Sequence, residues 1–173
     1  KHILKALDGS LTRMKTDYID VYYFHKDDES VPLEESIETV ASLIRAGKVR
    51  YWGLSNYRGW RISLVCGIAE RMGVPGPVVC QPYYNAMDRT PEQEVLPACS
   101  YHGLGVVSYS PLARGVLSGK YGISIKEKGK GTRASVNDPR LMQTEWRAEN
   151  LIIAQKIKKR ASEKGLTAGQ FAL

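Results

Sequence analysis

Residues 16–25 read TDYIDVYYFH, a run dense in Ile, Val, Tyr and Phe that ends at a histidine. Such a density of β-branched and aromatic residues favours a β-strand. Three later apolar runs also end at polar side chains, at Ser55 and Asn56, at Gln81, and at Tyr109 and Ser110. A helix-like stretch follows each of the first three runs at the spacing of a βαβ unit. This alternation predicts a parallel sheet with functional side chains at the carboxyl ends of its strands.

The helical segments are predicted from capping residues and apolar periodicity. The clearest begins after Pro32, has acidic residues in its first turn and ends at Gly47. Further helices are predicted over 61–72, from Thr90 to about His102, and from about Glu145 to Lys164. Residues 111–140 are rich in Gly and Lys, and we predict a long loop with too few apolar residues to pack.

The length of the chain limits the architecture. A closed (β/α)8 barrel takes about 250 residues, whereas this chain has 173. The sequence opens inside a helical pattern and closes just after Thr167 and Gln170, which have the spacing of a capping box. We therefore expect an α/β fold, a partial (β/α)8 barrel cut at both ends, forming a single domain over residues 1–173.

The net charge of +7 is concentrated in the last third of the chain. Between Lys120 and Lys164 there are twelve Lys and Arg residues against five Asp and Glu residues. This pattern is typical of a solvated helix face and an exposed loop, although a basic segment also suits an anionic partner. Because no aromatic platform or zinc-ligand spacing accompanies it, we predict no nucleic-acid partner.

Cysteine content and hydropathy indicate the compartment. Cys66, Cys80 and Cys99 are widely spaced and odd in number, which predicts reduced and mostly buried thiols in a cytoplasmic protein. No apolar run reaches the length of about 18 residues that a membrane span needs, so no membrane partner is predicted. The three histidines lack the spacing of a metal site, so no metal is predicted.

The polar residues at the strand ends have more than one interpretation. The imidazole of His25 could polarise a carbonyl group, exchange a proton or satisfy a hydrogen bond at the end of a strand. The amides of Asn56 and Gln81 could recognise another amide or cap the backbone. Tyr109 could stack on a planar ring or pack in the core.

Four segments together closely resemble the aldo-keto reductase family, in family order across nearly the whole chain. They are TDYIDVYYFH, EESIETVASLIRAGKVRYWGLSNY, VVCQPYYNAMDR and GVVSYSPLARGVLSGKY. The resemblance implies a (β/α)8 barrel, of which this chain supplies about strands four to seven. It also implies NADPH-dependent reduction of an aldehyde or ketone, hence NADP(H) as cofactor and a small carbonyl compound as substrate.

The resemblance assigns a role to each matching residue. His25 matches the catalytic histidine that orients the substrate carbonyl. Ser55, Asn56 and Gln81 match the residues that hold the nicotinamide carboxamide, and Tyr109 matches the aromatic residue stacked on the nicotinamide ring. The remaining matches lie in the loop that wraps the cofactor pyrophosphate, namely Ser110, Pro111, Leu112, Arg114 and Gly115.

The family's proton-donating tyrosine, with its lysine and aspartate, matches no residue of this chain. Tyr22 and Tyr23 lie in the strand of the histidine, and Lys26 and Lys48 match no catalytic position. We therefore expect an intact parent to be the enzyme and residues 1–173 alone to be inactive. The alternatives are a cofactor-binding regulatory subunit of the potassium-channel β type and a non-catalytic half-barrel that self-associates through open barrel edges.

Overall fold

The computed structural model describes residues 2–173, which divide into two compact units. The first unit contains the chain up to Pro82 together with Pro91–Val107. The second contains Tyr83–Thr90 and Ser108–Leu173. The single domain over residues 1–173 stays a prediction.

Helices and strands alternate in the first unit. The helices are α1 (His2–Met14), α2 (Leu33–Arg45), α3 (Gly59–Arg71) and α4 (Val95–Tyr101). The strands are β1 (Ile19–Phe24), β2 (Val49–Ser55), β3 (Val79–Gln81) and β4 (Gly105–Val106). All four strands pair in parallel in the order β1-β2-β3-β4. The predicted fold class, α/β with the strand pattern of a partial (β/α)8 barrel, is confirmed.

The core of this unit lies between the sheet and its helices. Trp52 and Leu54 of β2 are fully buried against Ile37 of α2 and Ile62 and Val65 of α3. These helical residues recur at the spacing that places them on one face, which is why each helix buries a single side. The indole of Trp52 also donates a hydrogen bond of 2.9 Å to a loop carbonyl, so its polar atom is satisfied in the core.

The second unit is built mainly from helices. Short 3₁₀ turns cover Ala113–Ser118 and are interrupted by a kink at Arg114 and Gly115. They are followed by α5 (Pro139–Thr144), α6 (Ala148–Glu163) and α7 (Ala168–Ala172). The predicted capping box at the start of α7 is confirmed. The backbone N–H of Gln170 donates to the hydroxyl of Thr167, and the N–H of Thr167 donates to the Gln170 side chain.

The segment predicted as an unpacked loop is ordered and contributes to a core, so this prediction was wrong. Val116, Leu117, Tyr121 and Ala134 are buried, and they pack with Leu141 and Leu151 of the following helices. Trp146 donates from its indole to the carbonyl of Ile125 at 3.1 Å. A glycine-rich segment with a few apolar residues can therefore pack into a core when separate helices supply the other half of that core.

The helix predicted from Thr90 to His102 is interrupted. Thr90–Glu92 forms a 3₁₀ turn, and α4 begins only at Val95. Pro97 explains the later start, since proline is tolerated in a first helical turn and breaks a helix interior. The interruption also brings the carbonyl of Glu94 against Gly59, where a Cβ would lie 2.6 Å from it.

Two predicted boundaries also move. Strand β4 has only two residues, Gly105 and Val106, so it ends before Tyr109 and Ser110, the polar residues that close the fourth apolar run of the sequence. Helix α6 begins at Ala148, not at Glu145, which is buried in the connection before it. Cys66, Cys80 and Cys99 form no disulfide, and the latter two are buried, as predicted.

Candidate functional site

The carboxyl ends of β1, β2 and β3 are joined by side-chain hydrogen bonds. The amide nitrogen Nδ2 of Asn56 donates to the backbone carbonyl of His25 at 2.8 Å and to Ser55 Oγ at 3.0 Å. Ser55 Oγ in turn donates to the backbone carbonyl of Gln81 at 2.8 Å. These four predicted site residues therefore lie together at one edge of the sheet.

Strand register explains why they meet. Phe24 pairs with Leu54, Leu54 pairs with Cys80, and Ser55 pairs with Gln81, so the three strands end at nearly the same level. Asn56 then takes a left-handed backbone conformation, with φ of 60°. Asparagine adopts that conformation more readily than most residues, which lets the chain turn sharply while its amide reaches back to β1.

The side chains at this edge differ in their environment. Ser55 is buried, whereas His25 and Asn56 are exposed. Among residues 2–173, neither the His25 imidazole nor the Gln81 carboxamide makes a hydrogen bond to the protein. An imidazole and a carboxamide together offer the donors and acceptors that an amide or carbonyl ligand requires.

An ion pair lies beside the histidine on the same chain segment. Arg61 Nε donates to Asp27 Oδ2 at 2.8 Å, and the two side chains are only 13% and 17% exposed. The second carboxylate oxygen, Oδ1, is buried without a hydrogen-bond partner in the part of the chain that the structure describes. Burial, followed by the negative charge of Asp27, raises the pKa of the nearby Tyr57 to about 12.

The sequence analysis did not identify this pair. Asp27 and Arg61 are separated by 34 positions, and neither residue has a spacing signal of its own. The pair ties the segment that follows His25 to the first turns of α3. It therefore helps to hold the segment after His25, while the hydrogen bond from Asn56 holds the His25 backbone carbonyl.

In the second unit, Tyr109 lies against Tyr83. The two residues form a parallel backbone bridge, and their ring centroids are 5.3 Å apart with planes inclined by 46°. This tilted arrangement is a favourable geometry for two aromatic rings. Tyr109 therefore has a neighbouring ring that restricts its orientation.

The loop after Tyr109 contains a cluster of left-handed residues. Ser110, Ala113, Arg114 and Gly115 have φ values of 51°, 47°, 54° and 94°. Positive φ in a residue other than glycine costs free energy and persists only where the surroundings impose it. The backbone N–H groups of Ala113 and Gly115 each donate to the carbonyl three residues earlier, at 2.8 Å, which closes the loop on itself.

Two side chains hold this loop to the rest of the second unit. Buried Asn85 accepts hydrogen bonds from two backbone N–H groups and donates to the carbonyl of Ser110 at 3.4 Å. Arg114 Nε donates to the hydroxyl of Thr144 at 3.1 Å. Pro111 and Leu112 are half-buried between these attachments.

Two kinds of feature are absent from the described residues. Nowhere in residues 2–173 do three or more His, Cys, Asp or Glu side chains form a group that could hold a metal ion. None of the helices formed by those residues combines the length and the hydropathy of a membrane span.

A parallel sheet whose strand ends bring together a histidine, a serine and two carboxamides defines an α/β protein with a polar cluster at the carboxyl edge of its sheet. The chain belongs to the Aldo/keto reductase family, whose sequence model matches residues 1–173. Members of this family are oxidoreductases that generally use nicotinamide cofactors and act on small carbonyl compounds.

The relatives of this chain include channel subunits and a reductase. It is 43% identical over 122 residues to the probable voltage-gated potassium channel subunit beta of Oryza sativa subsp. japonica, covering 70% of this chain and 37% of that protein. It is 37% identical over 177 residues to the putative voltage-gated potassium channel subunit beta of Schizosaccharomyces pombe, covering 100% of this chain and 51% of that protein. The L-glyceraldehyde 3-phosphate reductase of Escherichia coli O157:H7 is 30% identical over 174 residues, covering 100% of this chain and 50% of that protein. The chain thus spans 37% to 51% of the length of these three relatives.

Proposed function

We propose that this chain provides the nicotinamide-binding part of an NADPH-dependent carbonyl reductase. The observation that carries the proposal is the hydrogen-bonded junction of His25, Ser55, Asn56 and Gln81 at the ends of three adjacent strands. A binding constellation needs side chains whose positions are fixed before the ligand arrives. The junction fixes the backbone of all four residues.

The donor set of the first unit suits a nicotinamide carboxamide. An amide ligand requires both donors and acceptors, and the Gln81 carboxamide supplies both. The Ser55 hydroxyl and Asn56 Nδ2 donate within the junction itself, beside that carboxamide. We assign these three residues to the carboxamide. We assign His25 to the substrate carbonyl, because its exposed imidazole can donate a hydrogen bond to the oxygen on which negative charge develops.

In the second unit we assign Tyr109 to the face of the nicotinamide ring. We assign the loop after it to the cofactor pyrophosphate, with contacts from Ser110, Pro111, Leu112, Arg114 and Gly115. Arg114 gives this loop a positive charge, which suits an anionic pyrophosphate. The preference for NADPH over NADH rests on the family resemblance.

The chemistry follows from these assignments. The reduced cofactor, when bound, supplies a hydride to the carbonyl carbon. His25 would orient the carbonyl and stabilise its oxygen by a hydrogen bond, and the carboxamide-binding residues would hold one face of the nicotinamide toward it. Proton donation has no candidate here, since no tyrosine of the chain matches the family's acid. We therefore expect residues 1–173 alone to reduce no aldehyde with NADPH.

Replacement of Gln81 by alanine tests the carboxamide assignment. The change removes a side chain that has no hydrogen bond within residues 2–173, so the fold should be unaffected. The loss of one or two hydrogen bonds to the carboxamide should raise the dissociation constant for NADPH about tenfold. Titration of the intact protein, monitored by nicotinamide fluorescence, gives that constant.

A matched control is Gln93→Ala, which removes an exposed glutamine from the same unit and should leave the dissociation constant unchanged. Equal affinities for the Gln81→Ala variant and the original protein would show that Gln81 does not hold the carboxamide. Absence of any NADPH binding by the original protein would contradict the proposed function itself.

A cofactor-binding regulatory subunit is the second candidate. The relatives from Oryza sativa and Schizosaccharomyces pombe are both named as potassium channel beta subunits, which favours it. Both candidates require the nicotinamide site and differ in turnover. Rapid multiple turnover of an aldehyde by the intact protein supports the reductase, and co-purification with a membrane channel supports the subunit.

A half-barrel that associates with itself is the third candidate. Val106 of β4 and the adjacent Val107 are 42% and 53% exposed, and exposed apolar strands promote pairing between chains. Sedimentation of residues 1–173 as a folded monomer at high concentration would exclude it.

We also propose a cytoplasmic location, because three cysteines without a disulfide suit a reducing compartment.

A further inference from the structure

Glu145 is a buried carboxyl group in the connection between α5 and α6. It is 5% exposed, although it lies in a segment rich in charge. Its backbone is fixed on both sides, because its N–H donates to Leu141 O at 2.9 Å and its carbonyl accepts from the Asn150 side chain at 3.1 Å. The position of this carboxyl group is therefore imposed by the two helices.

The hydroxyl of Tyr83 donates a hydrogen bond to the Glu145 carboxylate. The backbone of Tyr83 is held at the other end by its bridge to Tyr109. The Tyr83 ring is thus fixed at both ends, and its centroid lies 5.3 Å from the centroid of the Tyr109 ring. Loss of the hydrogen bond to Glu145 should therefore shift the rigid Tyr83 ring and, with it, the neighbouring Tyr109 ring.

Packing alone does not hold Tyr83. A cavity of about 510 Å³ adjoins both Tyr83 and Glu145, so part of the tyrosine has no protein neighbour. A side chain beside a cavity has fewer contacts to define its rotamer. The hydrogen bond to Glu145 supplies the constraint that packing does not provide on that side.

A buried carboxyl group is a costly way to fill this position. Burial raises the pKa of Glu145, and the positive charge of Arg147 lowers it only in part. Hydrophobic residues of similar volume stabilise buried sites at least as well as ionisable ones. Because a buried carboxyl group lowers stability, the hydrogen bond between Glu145 and Tyr83 is better explained by a role in orienting the neighbouring Tyr109 ring.

We propose that Glu145 and Tyr83 are a positioning pair that sets the tilt of the Tyr109 ring for the nicotinamide. This inference rests on the proposed function, in which Tyr109 stacks on that ring. Neither residue touches the cofactor in this role. The pair acts only on the affinity for ligands that carry a nicotinamide.

The test compares two ligands in the intact protein carrying Tyr83→Phe. One ligand is NADPH, and the other is adenosine 2',5'-bisphosphate, which lacks the nicotinamide. We expect the dissociation constant of NADPH to rise about fivefold, the effect of one lost hydrogen bond. We expect the dissociation constant of the bisphosphate to stay within twofold of its value in the original protein. A general loss of structure would instead raise both constants.

Three further variants complete the design. Tyr101→Phe makes the same chemical change at an 85% exposed tyrosine and should alter neither constant. Glu145→Gln keeps an oxygen that accepts from Tyr83 and should bind NADPH within twofold of the original protein. Tyr83→Phe leaves the buried Glu145 carboxyl group without its partner, which could unfold the protein. The double variant Tyr83→Phe with Glu145→Met also removes that carboxyl group and therefore keeps the fold in that case. It should show the same fivefold loss.

The outcomes separate the two proposals. Unchanged NADPH affinity in Tyr83→Phe and in the double variant would overturn the positioning role and leave the proposed function intact. Equal losses for both ligands would overturn it as well, since they indicate a structural effect. Absence of NADPH binding by the original protein would overturn the proposed function, and the positioning role with it.

Discussion

Arg61→Ala is expected to lower the free energy of unfolding by about 3 kcal/mol, within the range for removing one partner of a buried ion pair. The substitution leaves the Asp27 carboxylate without its cation at a position where that side chain is only 17% exposed. Its Oδ1 already has no hydrogen-bond partner among the described residues, so the substitution removes the one hydrogen bond that the carboxylate accepts there. Urea denaturation followed by circular dichroism gives the free energy and shows whether the transition remains cooperative.

The matched control for this prediction is Lys48→Ala. Lys48 pairs with Asp8 at 3.0 Å, but the two side chains are 45% and 61% exposed, so the loss should be below about 1 kcal/mol. Combining Arg61→Leu with Asp27→Asn removes both charges and should recover most of the stability lost in Arg61→Ala. If Arg61→Ala cost no more than Lys48→Ala, the ion pair would have no special role in holding the segment after His25.

The strands and their polar ends could be predicted because their signal is local. The run that becomes β1 is rich in β-branched and aromatic residues, and His25 follows it directly. Parallel strands must end at the same edge, so the meeting of His25, Asn56 and Gln81 follows from topology alone. The hydrogen bonds that join them follow from register, which the spacing of the runs does not determine.

The supporting contacts could not be predicted because they join distant parts of the chain. Tyr83 and Glu145 are 62 positions apart, and Glu145 has the sequence context of an exposed helix start. The packing of Tyr121 and Ala134 depends on Leu141 and Leu151, which lie in later helices. One missed feature did have a local signal, since Pro97 excludes a continuous helix from Thr90.

Gly53→Ala should be among the most damaging single-methyl substitutions in this chain. A Cβ at Gly53 would lie 2.6 Å from the carbonyl oxygen of Val79, 2.6 Å from its Cγ1 and 3.0 Å from the Tyr23 ring. The obstruction on one side is backbone, so relief requires β2 and β3 to move apart. Overpacking of this kind lowers the free energy of unfolding by up to about 3 kcal/mol, and we expect chemical denaturation to show a decrease of that size.

The same displacement should weaken cofactor binding. Ser55 lies two residues after Gly53, and its hydroxyl bonds to Gln81 across the β2 and β3 pair, so separating the strands breaks the junction. The NADPH dissociation constant of folded Gly53→Ala should therefore rise by at least as much as that of Gln81→Ala. Gly76→Ala is the control, because nothing lies within 4 Å of a Cβ there and the change should be neutral or slightly stabilising. Equal stability and NADPH affinity for Gly53→Ala and Gly76→Ala would mean that β2 and β3 tolerate separation, and that their close spacing is not what places Ser55 beside Gln81.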